Sequence, residues 1–163
     1  MATTVIESDV LVRGALVAES FTAPTQSVSG DAVKTGANVP ADKLESRIYS
    51  SHAQPNSAAT SETRPLFVAR RPGTVNSVLA GSIAKAIGDS TVTVDVRKNG
   101  TTILSGVITL DNANTARVGE AGTISVPAFV AGDWFEVVIT ATIGTGTLPQ
   151  GVFVQCEMDQ DGL

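Results

Sequence analysis

The chain reads as two unequal texts. Over residues 1–63 the apolar residues are scattered among small ones and broken by Pro and Gly, whereas over residues 64–159 short alternating runs follow one another closely. The second text can bury a core of its own, because alternation at period 2 turns one side of each strand inward. The first cannot, so it is expected to order by lying against another surface. Attachment, rather than catalysis, is therefore the leading question.

In the second text the clearest element is Thr91–Lys98, where Val92, Val94 and Val96 point one way and Thr91, Thr93, Asp95 and Arg97 the other. Asn99-Gly100 follows at once, a pair suited to the positive φ angles of a type I′ turn, so a hairpin with residues 101–110 is expected. Further strands are read at 66–70, at 74–83 with Val75, Leu79 and Ile83 on one side, and at 115–118 and 123–126. Residues 134–143 follow, with Phe135, Val137, Ile139, Ala141 and Ile143 inward, and residues 152–158 close the fold. About eight strands at short spacing, without a long helix among them, predict an all-β fold: an antiparallel β-sandwich of jelly-roll type.

In the leader, Ile6, Val10, Val12 and Leu16 share one parity and Glu7, Asp9 and Arg13 the other, as an extended segment covered on one side requires. Phe21 and Pro24 follow, and residues 31–44 have room for two short helical turns separated by Gly36 and Pro40. Residues 50–63 are Ser, Ala, Asn, Gln, Pro and Thr without periodicity, the composition of a linker. The expected organisation is an extended arm over 1–48, a linker over 49–63 and a sandwich over 64–163.

Composition narrows the function. A net charge of −5, with Arg70-Arg71 and Arg97-Lys98 as isolated basic pairs, argues against holding nucleic acid by phosphate neutralisation. No apolar run approaches the ~20 residues of a membrane helix, and no signal peptide is read, so a soluble protein or part of a soluble assembly is expected. Cys156 is the only cysteine, which precludes an intrachain disulfide, and its alternation with Val152, Val154 and Met158 marks it as buried.

Chemistry is sparse. The only histidine, His52, falls in the expected linker, a poor place to fix a catalytic base. One His and one Cys far apart do not make a zinc site, and Asp111-Asn112-Ala113-Asn114 and Asp159-Gln160-Asp161 read as turns rather than calcium loops. Asp95, Glu136 and Glu157 read as solvated-face residues rather than a glycosidase pair. Gly144 to Gly151 lacks the lysine and helix of a phosphate loop and reads as a hairpin loop. No enzyme, cofactor or metal is expected. The aromatics available for stacking are Tyr49, Phe67, Phe129, Trp134 and Phe153, and Trp134 suits a core cap or a subunit contact.

Two stretches carry a resemblance. Gly14-Ala-Leu-Val-Ala-Glu-Ser-Phe-Thr-Ala-Pro24 with Ser27-Val-Ser-Gly-Asp-Ala-Val-Lys-Thr-Gly-Ala-Asn-Val-Pro-Ala-Asp-Lys-Leu44 resembles the attachment region of tailed-bacteriophage capsid decoration (cement) or head-fibre proteins. The runs Val92 to Asp111 and Ala131 to Ile139 are similar to their sandwich domain, whereas Glu45-Ser-Arg-Ile-Tyr49 departs from the family's usual text after the Lys-Leu pair. The resemblance implies a homotrimer at three-fold positions on the capsid exterior, assembled in the host cytoplasm. Its arm, through Ile6, Val10, Val12, Leu16, Phe21, Val33 and Leu44, would dock on the major capsid protein, with neither nucleic acid nor membrane as partner. The alternative is a trimeric head- or tail-fibre module whose sandwich binds host surface glycans.

Overall fold

The computed structural model describes residues 46–161. Ten strands are found there: β1 (Ser46–Ala53), β2 (Glu62–Val68), β3 (Gly73–Ala84), β4 (Thr91–Lys98), β5 (Thr101–Thr102), β6 (Ile108–Leu110), β7 (Glu120–Ala121), β8 (Ala128–Phe129), β9 (Trp134–Thr142) and β10 (Gln150–Gln160). They form two five-stranded antiparallel sheets, one ordered β1-β10-β3-β7 with β8 also on β3, the other β2-β9-β4-β5 with β6 also on β4. The sheets pack face to face as the expected β-sandwich. The first described strand thus lies beside the last, and the second beside the next to last.

The core is supplied by the parities read from the sequence. Val92, Val94 and Val96 of β4 and Phe135, Val137 and Ile139 of β9 meet Val152, Val154, Cys156 and Met158 of β10, all buried. Each such side chain contributes roughly 1.5–3 kcal/mol of burial. Phe67, Phe129 and Phe135 fill one end, with ring centroids 5.4–6.3 Å apart and two of the three contacts edge-to-face. The expected turn is present: Asn99 has φ 51° and Gly100 φ 81°, and Lys98 pairs with Thr101.

Several local expectations are corrected. The stretch read as a linker belongs to the sandwich: residues 50–53 pair with β10, Ala58 bridges to Gln150, Ala59 is in the core, and Glu62 and Thr63 pair with β9. Residues 46–48, assigned to the arm, are likewise in β1. Along β3, Val75 faces inward but Leu79 and Ile83 do not share its side. Asn76 is an extra residue against the Glu157–Met158 step of β10, so the bulge reverses the parity and turns Val78 and Ala80 inward. Ile143 lies beyond the end of β9 and is 71% exposed rather than inward.

The strand expected over 101–110 breaks between β5 and β6, where consecutive Ile103 and Leu104 are both buried, a pattern alternation cannot produce. The strands expected at 115–118 and 123–126 fall instead at β7 and β8, leaving Ile124 in a single bridge to Leu104. Segments this short leave no period to read.

Candidate interaction surface

The inward side of β1 carries Ile48, Ser50 and His52 and leads on to Gln54. All but Ile48 are polar because this strand closes the sandwich edge by hydrogen bonds to the other sheet. Ser50 Oγ donates to the Leu66 carbonyl at 2.6 Å, His52 Nε2 meets Glu62 Oε1 at 2.9 Å, and Gln54 Nε2 donates to Glu62 Oε1 at 2.7 Å. Arg64 Nε donates to the second Glu62 oxygen at 2.6 Å. These donors, Arg64 foremost, then Gln54 and His52, hold the Glu62 carboxyl down at about 2.

His52 is therefore not in a linker, and a carboxylate does stand beside it. Among the described residues no Ser, Thr or Cys side chain bonds the ring, and the His52–Glu62 contact ties β1 to β2. Sequence reasoning missed this cluster; the signal was the shared parity of Ile48, Ser50, His52 and Gln54.

The other carboxylates do not converge. Asp95 and Glu136 lie on the outer face of the sheet containing β9, whereas Glu157 lies on the outer face of the opposite sheet, 3.1 Å from Arg47. Asp95 is bound by Arg97 Nε at 2.9 Å and Thr102 Oγ1 at 2.6 Å. Asp111 Oδ1 accepts the Ala113 N–H at 2.8 Å, an Asx turn. The 144–149 loop joins strands of different sheets, so it is an inter-sheet crossing rather than the expected hairpin loop, and Asp89 accepts hydrogen bonds from the Thr145 N–H and hydroxyl within it. Among the described residues no three His, Cys, Asp or Glu side chains cluster as metal ligands would, and no pocket is found.

On the outer face of the β2-β9-β4 sheet, cross-strand pairing aligns the side chains in rows. Thr91 and Thr142 form one row, and Thr109, Thr93 and Thr140 the next, together a stretch without charge. Further along come Asp95, Val138 and Thr63, then Thr102, Arg97, Glu136 and Pro65. The last row is Trp134 beside Val68, 42% and 50% exposed. Trp134 is thus at the surface rather than capping the core, at the end held by Asn99, whose Oδ1 accepts the Trp134 N–H at 2.9 Å. Tyr49, 58% exposed, lies on the opposite sheet, so the two aromatics do not form one platform. The arm residues Ile6, Val10, Val12, Leu16, Phe21, Val33 and Leu44 lie outside the described residues.

No family model matches the chain, and no curated protein matches it in sequence. Among solved structures it is similar to a chain in the structure of infectious bursal disease virus, Gt strain, at 10% identity and a TM-score of 0.29. That alignment covers 73% of this chain and 37% of the other, and likeness at that level carries no argument about function.

Proposed function

We propose that this protein is a structural component of a virion rather than an enzyme: a trimer that decorates a phage capsid at three-fold positions and docks through its N-terminal arm. The observation that carries the reading is the division between body and leader. Both sheets of the sandwich fill the interior with their own strands, and the leader joins at Ser46, on an edge strand. A leader with apolar residues of its own suits a surface outside that body, the role an extended docking arm requires. The nested strand order also supports the jelly-roll refinement of the fold, an architecture used in viral capsids and lectins alike.

An extended arm gains main-chain hydrogen bonds by adding to a sheet edge or lying in a groove, and alternate side chains supply selectivity. Three arms on one trimer act at high effective concentration, so modest single contacts become durable. Decoration that binds the assembled lattice better than free subunits stabilises the shell by linkage.

The test is to incubate the full chain, and a form lacking residues 1–45, with undecorated capsids and image the particles. Density at three-fold positions with the full chain only, the shortened form keeping its β-type circular dichroism, is expected. Absence of density with the full chain, or undiminished binding by the shortened body, overturns the proposal. Saturable binding to host glycans without capsid binding would favour the fibre alternative.

A further inference from the structure

Among the described residues β1 is paired on one side only, with β10. Gln54 N–H donates to the Val152 carbonyl at 2.8 Å, which fixes the phase of the ladder. The main-chain groups of Ser46, Ile48, Ser50 and His52 therefore point at β10, and those of Arg47, Tyr49, Ser51 and Ala53 point away. All four of the latter residues are exposed.

Such an edge is a template for another strand, and proteins usually blunt it with proline, bulges, charges or brevity. β2, the corresponding edge of the other sheet, shows three of these devices: Pro65, an extra residue at Leu66, and the Glu62–Arg64 ion pair. β5, β6, β7 and β8 are two or three residues long. β1 has eight residues in unbroken register and no proline. Its one formal charge, Arg47, is already engaged by Asp159 at 3.0 Å and Glu157 at 3.1 Å.

We infer that the outer edge of β1 receives residues 4–16 of a second copy of this chain as an added strand. Every copy carries residues 1–45 leading directly into this edge, so the occupant is supplied in equal number to the sites. Ile6, Val10, Val12 and Leu16 share one parity of that segment, and Glu7, Asp9 and Arg13 stand on the other together with Val5 and Leu11, so the even side is the more apolar, as a strand with one covered face requires. Residues 17–45 span roughly 90 Å when extended, enough to cross to a neighbour. Folding back onto its own β1 would instead require them as one very long return within a compact domain, an uncommon arrangement.

Head-to-tail donation of this kind closes into a ring when the rotation between copies matches, as the proposed trimer requires, and otherwise runs on as a filament. The inference rests on the proposed trimer for the number of copies, and it divides the arm: residues 4–16 join copies, leaving Phe21, Val33 and Leu44 for the shell.

The test uses the full chain, with amide hydrogen exchange read at Tyr49, Ser51 and Ala53 and mass read by native mass spectrometry. Those three amides are expected to exchange about 100-fold slower than amides in exposed loops, and to lose that protection on dilution to monomer. Ser51→Pro removes an N–H that points away from β10 and puts a ring in the edge. It should give a monomer with unchanged far-UV circular dichroism. A second variant lacking residues 1–16 should do the same without touching β1.

Unprotected amides in the wild-type oligomer, protection that survives in the monomer, or a 1–16 deletion that keeps the oligomer overturns the inference. Capsid binding is scored separately. An arm-exchanged ring that ignores capsids sinks only the decoration role, and capsid binding by a chain with a bare β1 edge sinks only the exchange.

Discussion

Glu62 gathers donors from both sides of the sandwich edge, so removing its charge while keeping its size tests how that edge is held. Its carboxyl falls from an ordinary 4.5 to about 2 in the folded chain. Each unit of such a difference corresponds to about 1.4 kcal/mol between folded and unfolded states, which sets a ceiling of roughly 3 kcal/mol. Glu62 retains 17% side-chain exposure and its strongest partner, Arg64, is 59% exposed, so screening reduces the expected cost of Glu62→Gln to about 1–2 kcal/mol at pH 7.

The sign of the pH dependence follows from the depressed value. Stabilisation from this carboxylate is fully present above about pH 4.5 and is lost as the pH falls toward 2, with about a quarter remaining at pH 2.5. Urea unfolding of wild type and Glu62→Gln at pH 7 and pH 2.5 measures it. Asp89, Asp133 and Asp159 are also depressed, by hydrogen bonds from Thr145, Val130 and Arg47 respectively, but both proteins share them and they cancel in the difference. A cost of substitution that is the same at both pH values would refute the charge network and leave shape alone as the cause.

Phe135→Ala, at the centre of the aromatic cluster and 1% exposed, should lower stability by about 3–5 kcal/mol. The check is a lower urea midpoint at unchanged slope, and a loss below about 1 kcal/mol would refute tight packing there. Burial pushes the Cys156 thiol up to about 12, so a thiol reagent at pH 8 should label it only as fast as the chain unfolds. Immediate labelling of the folded protein would contradict its place in the core.

The sequence made β4, β9 and β10 readable because each turns valine, phenylalanine or isoleucine to the core at period 2 and mostly polar residues outward, Trp134, Val138 and Phe153 excepted. β1 was illegible for the opposite reason. Beyond Ile48 its inward positions are Ser50 and His52, followed by Gln54, since an edge strand that seals the sandwich through Leu66 and Glu62 needs donors where pattern reading looks for methyl groups. In β3 the apolar residues were visible but their side was not, because no local signal announces the extra residue at Asn76. Its side chain donates to Asp159 at 2.7 Å, a partner 83 positions away. The candidate edge was hidden in the same way, as its lack of a second partner among the described residues is not written in β1's own text.

The two surfaces left to this sandwich differ in what they can offer a partner. The threonine rows present short, β-branched side chains that are stiff and uncharged, so they add little reach or specificity. The β1 edge offers four N–H and four C=O groups whose bonds to water would be exchanged for protein bonds, each worth about 0.5–1.5 kcal/mol net. Against that gain stands about 1–2 kcal/mol for every residue of the incoming segment that is fixed. Main-chain bonds on one edge therefore fall several kcal/mol short of the ordering cost, and the covered side chains of Ile6, Val10, Val12 and Leu16 must supply the difference. Ring closure makes the last addition intramolecular, so the exchange inferred for β1 should be cooperative, favouring whole rings and free monomers over partly joined chains.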